Sequence, residues 1–440
     1  MRPLGIDLFA GAGGMSLGFE QAGFDVAAAV EIDPIHAAVH SFNFPETAVL
    51  ARSVVGLSAT EIREAADIGD RRVNVVFGGA PCQGFSLIGQ RQLDDPRNML
   101  VREFVRIVAE LGADYAVFEN VKGLTVGKHR AFLDEIVAEF GQRGYDVRLP
   151  WKVLNATEYG VPQHRERLFL LAARRGMPLP EYPGAITRAA GAPERPGALP
   201  EGPSCADALG DLPDADKYHE LFLTDVVRVQ RWKKPSTFAK RLRCLTNDAW
   251  HHGYVREWDP TRLTSSLRTE HTDISRRRFS ETPGGEVEPI SRFYRLPADG
   301  VSNTLRAGTD SARGAFTSPR PIHYLHPRCV TVREMMRLHG YPDWFRMHMT
   351  KWHGAREVGN SVPPPMARAV AAQVIAAGGY DLERPAKALR LGDERLLEMG
   401  MVEAAAHFGI EEAPIGKRDR KSGAKKRRQH EIEAALYAAD

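Results

Sequence analysis

With 440 residues, 43% of them hydrophobic, the chain is long enough for a large domain plus a second unit with a real core. No run reaches the 18 apolar residues of a membrane-spanning helix, and the opening MRPLGIDLFAGAGG lacks the layout of a secretory signal. Four scattered cysteines (Cys82, Cys205, Cys244, Cys329), with no CxxC pair, argue against a zinc site or a disulfide framework and fit a reducing cytoplasm. The net charge of +3 is small, but it is unevenly spread. Between Arg228 and Arg278 stand 13 Lys and Arg against 5 Asp and Glu, and Lys417–Gln429 holds 8 basic residues and one acid. Local basic patches on a near-neutral body are a footprint of phosphate contact, although a solvated face has the same composition.

In chain order, Leu4–Phe9 reads as a strand that runs into a glycine turn at Gly11–Gly14 and a helix over Met15–Gln21. Val26–Val30 is the next strand and ends at Glu31. Val73–Phe77 and Tyr115–Glu119 are further strands, with helices over Met99–Leu111 and Arg130–Phe140, and Leu168–Ala173 is a late buried strand. Such alternation predicts an α/β fold with a mainly parallel sheet and helices on both faces. From about Gly176 to Pro203 the composition turns to Pro, Gly and Ala, as in a linker. The basic, weakly periodic stretch from Ser204 to Pro321 is predicted to be a smaller second domain. Thr331–His339 and Pro364–Ala376 read as helices, and a charged helical tail is expected past Pro385.

In parallel sheets ligands sit at the carboxyl ends of strands, and the chemistry-bearing residues fall there. Asp7–Gly18 turns from strand to helix on glycines, and Glu31 lies 20 residues after Gly11, suited to a ribose hydroxyl. Alone, this pair fits NAD as well as S-adenosylmethionine. Cys82 stands on a Gly- and Pro-rich corner, GGAPCQGFS, beside Gln83 and Ser86, where a nucleophile would be exposed; an isolated cysteine is otherwise more often an inert core residue. Glu119-Asn120-Val121 ends another strand and places a carboxyl at the same edge. If QHRER is extended, Gln163, Arg165 and Arg167 share one face.

Together DLFAGAGG, GGAPCQGFS, ENV, QHRER, TVREMMRLHGYPD (Thr331–Asp343) and GNSVPPP (Gly359–Pro365) resemble, in order, the motifs of the cytosine-C5 DNA methyltransferase family. The resemblance covers residues 1 to about 180 and about 325 to about 380. It implies a Rossmann-like, S-adenosylmethionine-dependent catalytic domain with a smaller, irregular target-recognition domain. The expected limits are 1–178 and 326–385 for the catalytic domain, 179–325 for linker and recognition domain, and 386–440 for the tail. It implies that Cys82 attacks C6 of cytosine as a thiolate and that Glu119 hydrogen-bonds or protonates N3. Arg165 would bind near the O2 carbonyl and position Glu119, with Arg167 in support. Phe9, Ala12, Gly14, Glu31, Ile32, Val54, Gly79, Pro81, Leu100, Asn360 and Ser361 are the implied cofactor residues, with S-adenosylhomocysteine as product and no metal. One departure is Ser53, where the family usually has an Asp reaching the adenine amino group.

The implied partner is double-stranded DNA, bound by a monomer in a bacterial cytoplasm, at no membrane, alone or with cognate restriction or defence proteins. The target base must leave the duplex. Residues 84–98, with Gln90, Arg91 and Arg97, suit a loop closing over it. Arg228–Arg243 and Ser275–Phe279 are candidate DNA-contact segments, Ser302–Arg306 resembles the short Thr-Leu element of the recognition domain, and the basic tail would add salt-sensitive DNA affinity. Three alternatives stay open: a tRNA cytosine methyltransferase of the same fold, whose recognition insert is shorter; a catalytically silent DNA-binding protein; and an NAD-dependent oxidoreductase.

Overall fold

A computed structural model describes residues 2–81, 99–125, 129–308 and 320–411. Its elements begin with β1 (Leu4–Leu8), α1 (Gly14–Ala22), β2 (Asp25–Val30), α2 (Pro34–Asn43), β3 (Ala48–Leu50), α3 (Ala59–Ala65) and β4 (Val73–Gly78). There follow α4 (Met99–Glu110), β5 (Tyr115–Val121), α5 (His129–Gln142), β6 (Tyr145–Val147), β7 (Lys152–Asn155) and β8 (Glu166–Arg174). The expected strands and helices of this half are present within two residues at their ends. Sequence reading passed over α2, β3, α3, β6 and β7. Of these, α2 carries an explicit start signal: Asp33 caps it by accepting Ile35 N–H, and Pro34 occupies its first turn.

The sheet order is β3-β2-β1-β4-β5-β8-β6, with β7 also paired to β8. The pairings from β3 to β5 are parallel, whereas β8 runs antiparallel to β5, β6 and β7. The strands are apolar on both faces because both are covered. Val75 and Phe77 point into a cluster with Phe19 and Met366, and Val76 points into one with Phe104 and Phe132. The first face is closed by α1 and by α11 (Pro364–Gly378), which returns from the far end of the chain.

Residues 176–204 contain no helix and no strand beyond one isolated Arg188–Glu201 bridge, but they lie on the body, where Tyr182 Oη donates to the Phe169 carbonyl at 2.9 Å. Beyond them come α6 (Cys205–Leu209), β9 (Val227–Arg228), α7 (Thr237–Leu242), β10 (Val255–Glu257), β11 (Arg262–Leu263) and α8 (Asp273–Glu281), then α9 (Val332–Leu338) and α10 (Lys351–Asn360). One apolar cluster joins Leu209, Leu221 and Leu263 to Met335, Leu338 and Phe345, and to Val39 and Phe42 of α2. A buried ion pair, Arg337 with Asp211 at 3.1 Å, crosses the same seam.

Past Pro385 the chain does not begin as a helical tail. It forms β12 (Ala388–Arg390), which pairs in parallel with β10 and buries Leu389, and then α12 (Met401–His407), because Leu396 and Leu397 find apolar partners on the body. The basic cluster Lys417–Gln429 lies outside the described residues.

Candidate active site

The carboxyl ends of β1, β2, β4 and β5 form one edge. At the end of β1 the chain needs a sharp reversal, made at Phe9 (φ 63°), Gly11 (φ 54°) and Gly13 (φ 98°). A phenylalanine in the left-handed region is a strained backbone position of the sort that clusters at ligand sites. Glu31, at the end of β2, accepts Gly11 N–H through Oε2 at 2.7 Å and Asp33 N–H through Oε1 at 2.8 Å. The two bonds fix the carboxylate against the glycine turn and leave further lone pairs for a diol. Ile32 is 44% exposed beside it, an apolar face that the fold leaves uncovered. Phe9 and Leu100 pack, half-buried, on the rim of the cluster that holds buried Val54. Ala12 is buried with the turn. Ser53 Oγ accepts the Val55 N–H at 3.1 Å, so the hydroxyl is partly engaged in its own turn.

Below the turn lies a buried chain that sequence reading missed. Ser16 Oγ donates to Asp7 Oδ2 at 2.6 Å and lies 3.0 Å from His40 Nε2. Burial pushes the Asp7 carboxyl up to about 8, and pulls the His40 imidazole down to about 3. The only sequence signal was an acidic residue inside an otherwise apolar strand.

The GNSVPPP segment comes back to this turn. A Cβ on Gly14 would lie 2.6 Å from Tyr341 Oη, 2.7 Å from the Val362 carbonyl and 2.9 Å from Ser361 Cβ, so only glycine fits. Asn360 is exposed, and Ser361 is half-buried, its Oγ donating to the Val358 carbonyl at 2.9 Å.

Glu119, at the end of β5, is 9% exposed, and Arg167 Nε meets its Oε1 at 2.8 Å. The register explains the pair: Val121 faces Arg167 and Glu119 faces Phe169, so Glu119 and Arg167 are diagonal neighbours on one face of the antiparallel ladder. Burial raises the Glu119 pKa, and the Arg167 and Arg165 charges only partly offset this. Gly79 makes room, since any Cβ there would collide with Glu119 Oε2. Asn120 Nδ2 donates to the Ala80 carbonyl at 2.9 Å and so ties the ENV strand end to the loop that carries buried Ala80 and exposed Pro81 toward Cys82. Cys82, Gln83, Ser86, Gln90, Arg91 and Arg97 lie outside the described residues.

The alternation expected of QHRER holds, with Gln163 and Arg165 inside and His164 and Glu166 outside. Both arginines expected near Glu119 act on it, but the guanidinium in contact with the carboxyl is that of Arg167, while Arg165 acts through its charge. Arg165 is fully buried and donates instead to the carbonyls of Leu305, Gly359 and Ser361. It stands just before β8, two residues from Arg167, where Leu305 and the Gly359–Ser361 segment cover it.

In the candidate DNA-contact segments, Arg276 is held by Asp216 at 2.7 Å and Arg278 lies 3.5 Å from Glu288, while Arg277 is exposed. Arg231, Lys233, Lys234 and Lys240 are also exposed, whereas Arg243 stacks 4.4 Å over Trp232. Among the described residues no group of three His, Cys, Asp or Glu could hold a metal ion, and no helix is long and apolar enough to cross a membrane.

Residues 4–376 match the family described as C-5 cytosine-specific DNA methylase. The chain is 54% identical over 430 residues to the Type II methyltransferase M.XorII of Xanthomonas oryzae pv. oryzae, covering 98% of both chains. It is 32% identical over 378 residues to the Type II methyltransferase M1.HphI of Haemophilus parahaemolyticus, covering 84% of this chain and 86% of that one. A crystal structure of a DNA modification methyltransferase encoded within an E. coli prophage superposes with a TM-score of 0.68 at 29% identity, covering 86% of this chain and all of that one. S. pombe Dnmt2 methyltransferase, with a TM-score of 0.51 at 14% identity over 86% of this chain and all of that one, shares the fold.

Proposed function

The chain belongs to the C-5 cytosine-specific DNA methylases, a DNA cytosine methyltransferase, and from that premise we propose how its own residues carry the reaction. The methyl donor is S-adenosylmethionine, which when bound supplies a methyl group on a sulfonium. The carboxyl edge suits it: Glu31 for the ribose hydroxyls, the apolar Ile32, Val54 and Leu100 for the adenine, and the turn with Phe9, Ala12 and Gly14 for the remainder. Gly79, Pro81, Asn360 and Ser361 border the same space. The Asp that the family usually places on the adenine amino group is replaced by Ser53, whose hydroxyl offers a weaker contact.

C5 of cytosine is a poor nucleophile until the aromatic ring is broken. The Cys82 thiolate adds to C6, and the electron pair moves through the ring toward N3. Glu119, whose pKa is raised by burial, donates a proton to N3 as charge builds there. Arg167 holds the Glu119 carboxyl in place and stabilises the carboxylate left when the proton moves. C5 then takes the methyl group. Loss of the C5 proton and departure of Cys82 restore the ring, and N3 returns its proton to Glu119. Because the Glu119 carboxyl is recessed, the cytosine must leave the base stack to reach it.

The single observation behind this reading is the buried Glu119, its pKa raised by that burial, braced by Arg167 at the strand end adjoining the GGAPC corner. Kinship with Type II methyltransferases supports duplex DNA as substrate, a fixed short recognition sequence and a restriction-modification setting. The protein is expressed in a bacterial strain lacking cytosine methylation, and plasmid and genome are bisulfite-sequenced. Cytosines protected in one short context, and unprotected with Cys82→Ala, are the expected result. A soluble protein that protects no cytosine overturns the reading.

A further inference from the structure

Gln163 and Arg165 tie together three stretches that are far apart in the chain. Gln163 Oε1 accepts the Leu305 N–H at 3.0 Å, and its Nε2 donates to the Leu338 carbonyl at 3.3 Å and to His339 Nδ1 at 2.9 Å. Arg165 Nη1 donates to the Leu305 carbonyl at 2.9 Å, and Nη2 to the carbonyls of Gly359 at 2.8 Å and Ser361 at 2.6 Å. Leu305 is therefore gripped at both of its backbone groups, and the guanidinium that grips it also holds the segment bearing Asn360. His339 reinforces the join, with Nε2 3.1 Å from the Ser361 carbonyl. The two segments are in backbone contact as well: any Cβ on Gly359 would collide with the Arg306–Ala307 peptide.

This arrangement is costly to build and sensitive to displacement. Arg165 is fully buried, its hydrogen-bond partners are carbonyls rather than a carboxylate, and its Nε has no partner. A buried cation whose hydrogen bonds all go to carbonyl dipoles depends on each of them staying in place. On the outer side of the same stretch, Asn303 and Arg306 flank Leu305 and are exposed. A ligand held on that outer side would act on the Leu305 carbonyl. The shared guanidinium links that carbonyl to those of Gly359 and Ser361, on either side of Asn360.

We propose that Arg165 is a positioning residue that couples the two ligand-facing segments, so that duplex DNA on residues 303–306 tightens the hold of residues 360–361 on the S-adenosyl group, and the reverse. The inference rests on the functional reading above, which gives the cofactor to residues 360–361, and on the resemblance of Ser302–Arg306 to the recognition domain's Thr-Leu element, which gives DNA to the other segment. Coupling of this kind is reciprocal and lies between about 5-fold and 150-fold in binding systems.

The test is calorimetric titration of the full chain with S-adenosylhomocysteine, without and with a duplex carrying the sequence found protected by bisulfite sequencing. The ratio of the two dissociation constants is the coupling factor. Arg165→Lys keeps a cation but loses the planar fork that reaches three carbonyls. It is expected to bind each ligand singly within about threefold of the wild type, while the coupling factor falls about fivefold or more, toward one. Gln163→Met frees the Leu305 N–H without touching the guanidinium, lowers the factor in the same direction, and serves if Arg165→Lys gives no cooperative melt. A wild-type factor of one, or an unchanged factor in a folded variant, overturns the proposal. A wild type that binds neither ligand brings down the functional reading instead.

Discussion

Two residues carry predictions through their protonation. Glu119 is pushed by burial toward its neutral form, and the Arg167 cation opposes that push. If neutral Glu119 is the working form, the rate falls as pH rises through its pKa. Arg167→Ala removes a charge that lowers that pKa, so the alkaline limb of the kcat–pH profile moves to higher pH while kcat itself drops. Stopped-assay rates across pH read both, and a limb that stays in place argues against the pairing as the control. Asp7 behaves differently, since it lies beneath the site and is held near 8 by burial. Its folded pKa is raised above the unfolded 3.8, so the stability it contributes is full below about pH 4 and is lost as pH rises through about 8. Asp7→Asn keeps an acceptor for Ser16 and cannot ionise. The wild type is expected to lose more Tm than Asp7→Asn between about pH 5 and about pH 8.5, measured by thermal melts of both. Neither environment was legible in sequence. DLFAG and ENV announce the residues but not their solvation, which is set by other elements, Ser16 and His40 beside Asp7 and Arg167 and Gly79 beside Glu119.

At the level of elements, close approach of helices decides what composition cannot. Gly18 sits inside α1, where helix propensity alone favours alanine by about 1 kcal/mol. A Cβ there would lie 2.5 Å from Ala367 Cβ and 2.7 Å from Arg368 N, so overpacking of about 1–3 kcal/mol outweighs propensity. Gly18→Ala is expected to lower Tm. Gly141, inside α5, has nothing within 4 Å of its Cβ position and no positive φ, and Gly141→Ala is expected to raise stability by about 0.4–1 kcal/mol. Denaturant melts of the pair check the contrast. The strands and long helices were readable because apolar runs and 3.6-residue periodicity are local. The antiparallel insertion of β8 between β5 and β6 was not, since strand direction depends on the connection and leaves no mark on the strand's own residues. That insertion is what sets Arg167 diagonally beside Glu119.

Across the whole molecule, the second unit does not own its core. Its leucines share a cluster with α2, α9 and residues 396–397, and Arg337 is buried against Asp211. A fragment of residues 179–325 would expose that cluster and take Arg337 away from Asp211, leaving it only Arg243. It is expected to show no cooperative thermal unfolding, whereas the full chain does; a cooperative melt of the isolated fragment would establish an independent domain. The sequence by itself determined the alternating α/β order, the ends of most long elements, and the kinship carried by six ordered motifs, because these depend on periodicity and residue identity within short windows. Only the tertiary structure decided which arginine meets Glu119, that Arg165 grips Leu305 and Ser361 together, that α11 closes over α1, and that the chain past Pro385 folds back as a strand. Those are facts of register, burial and contact between segments remote in sequence, where the free energy of an arrangement belongs to neighbours that no local pattern names.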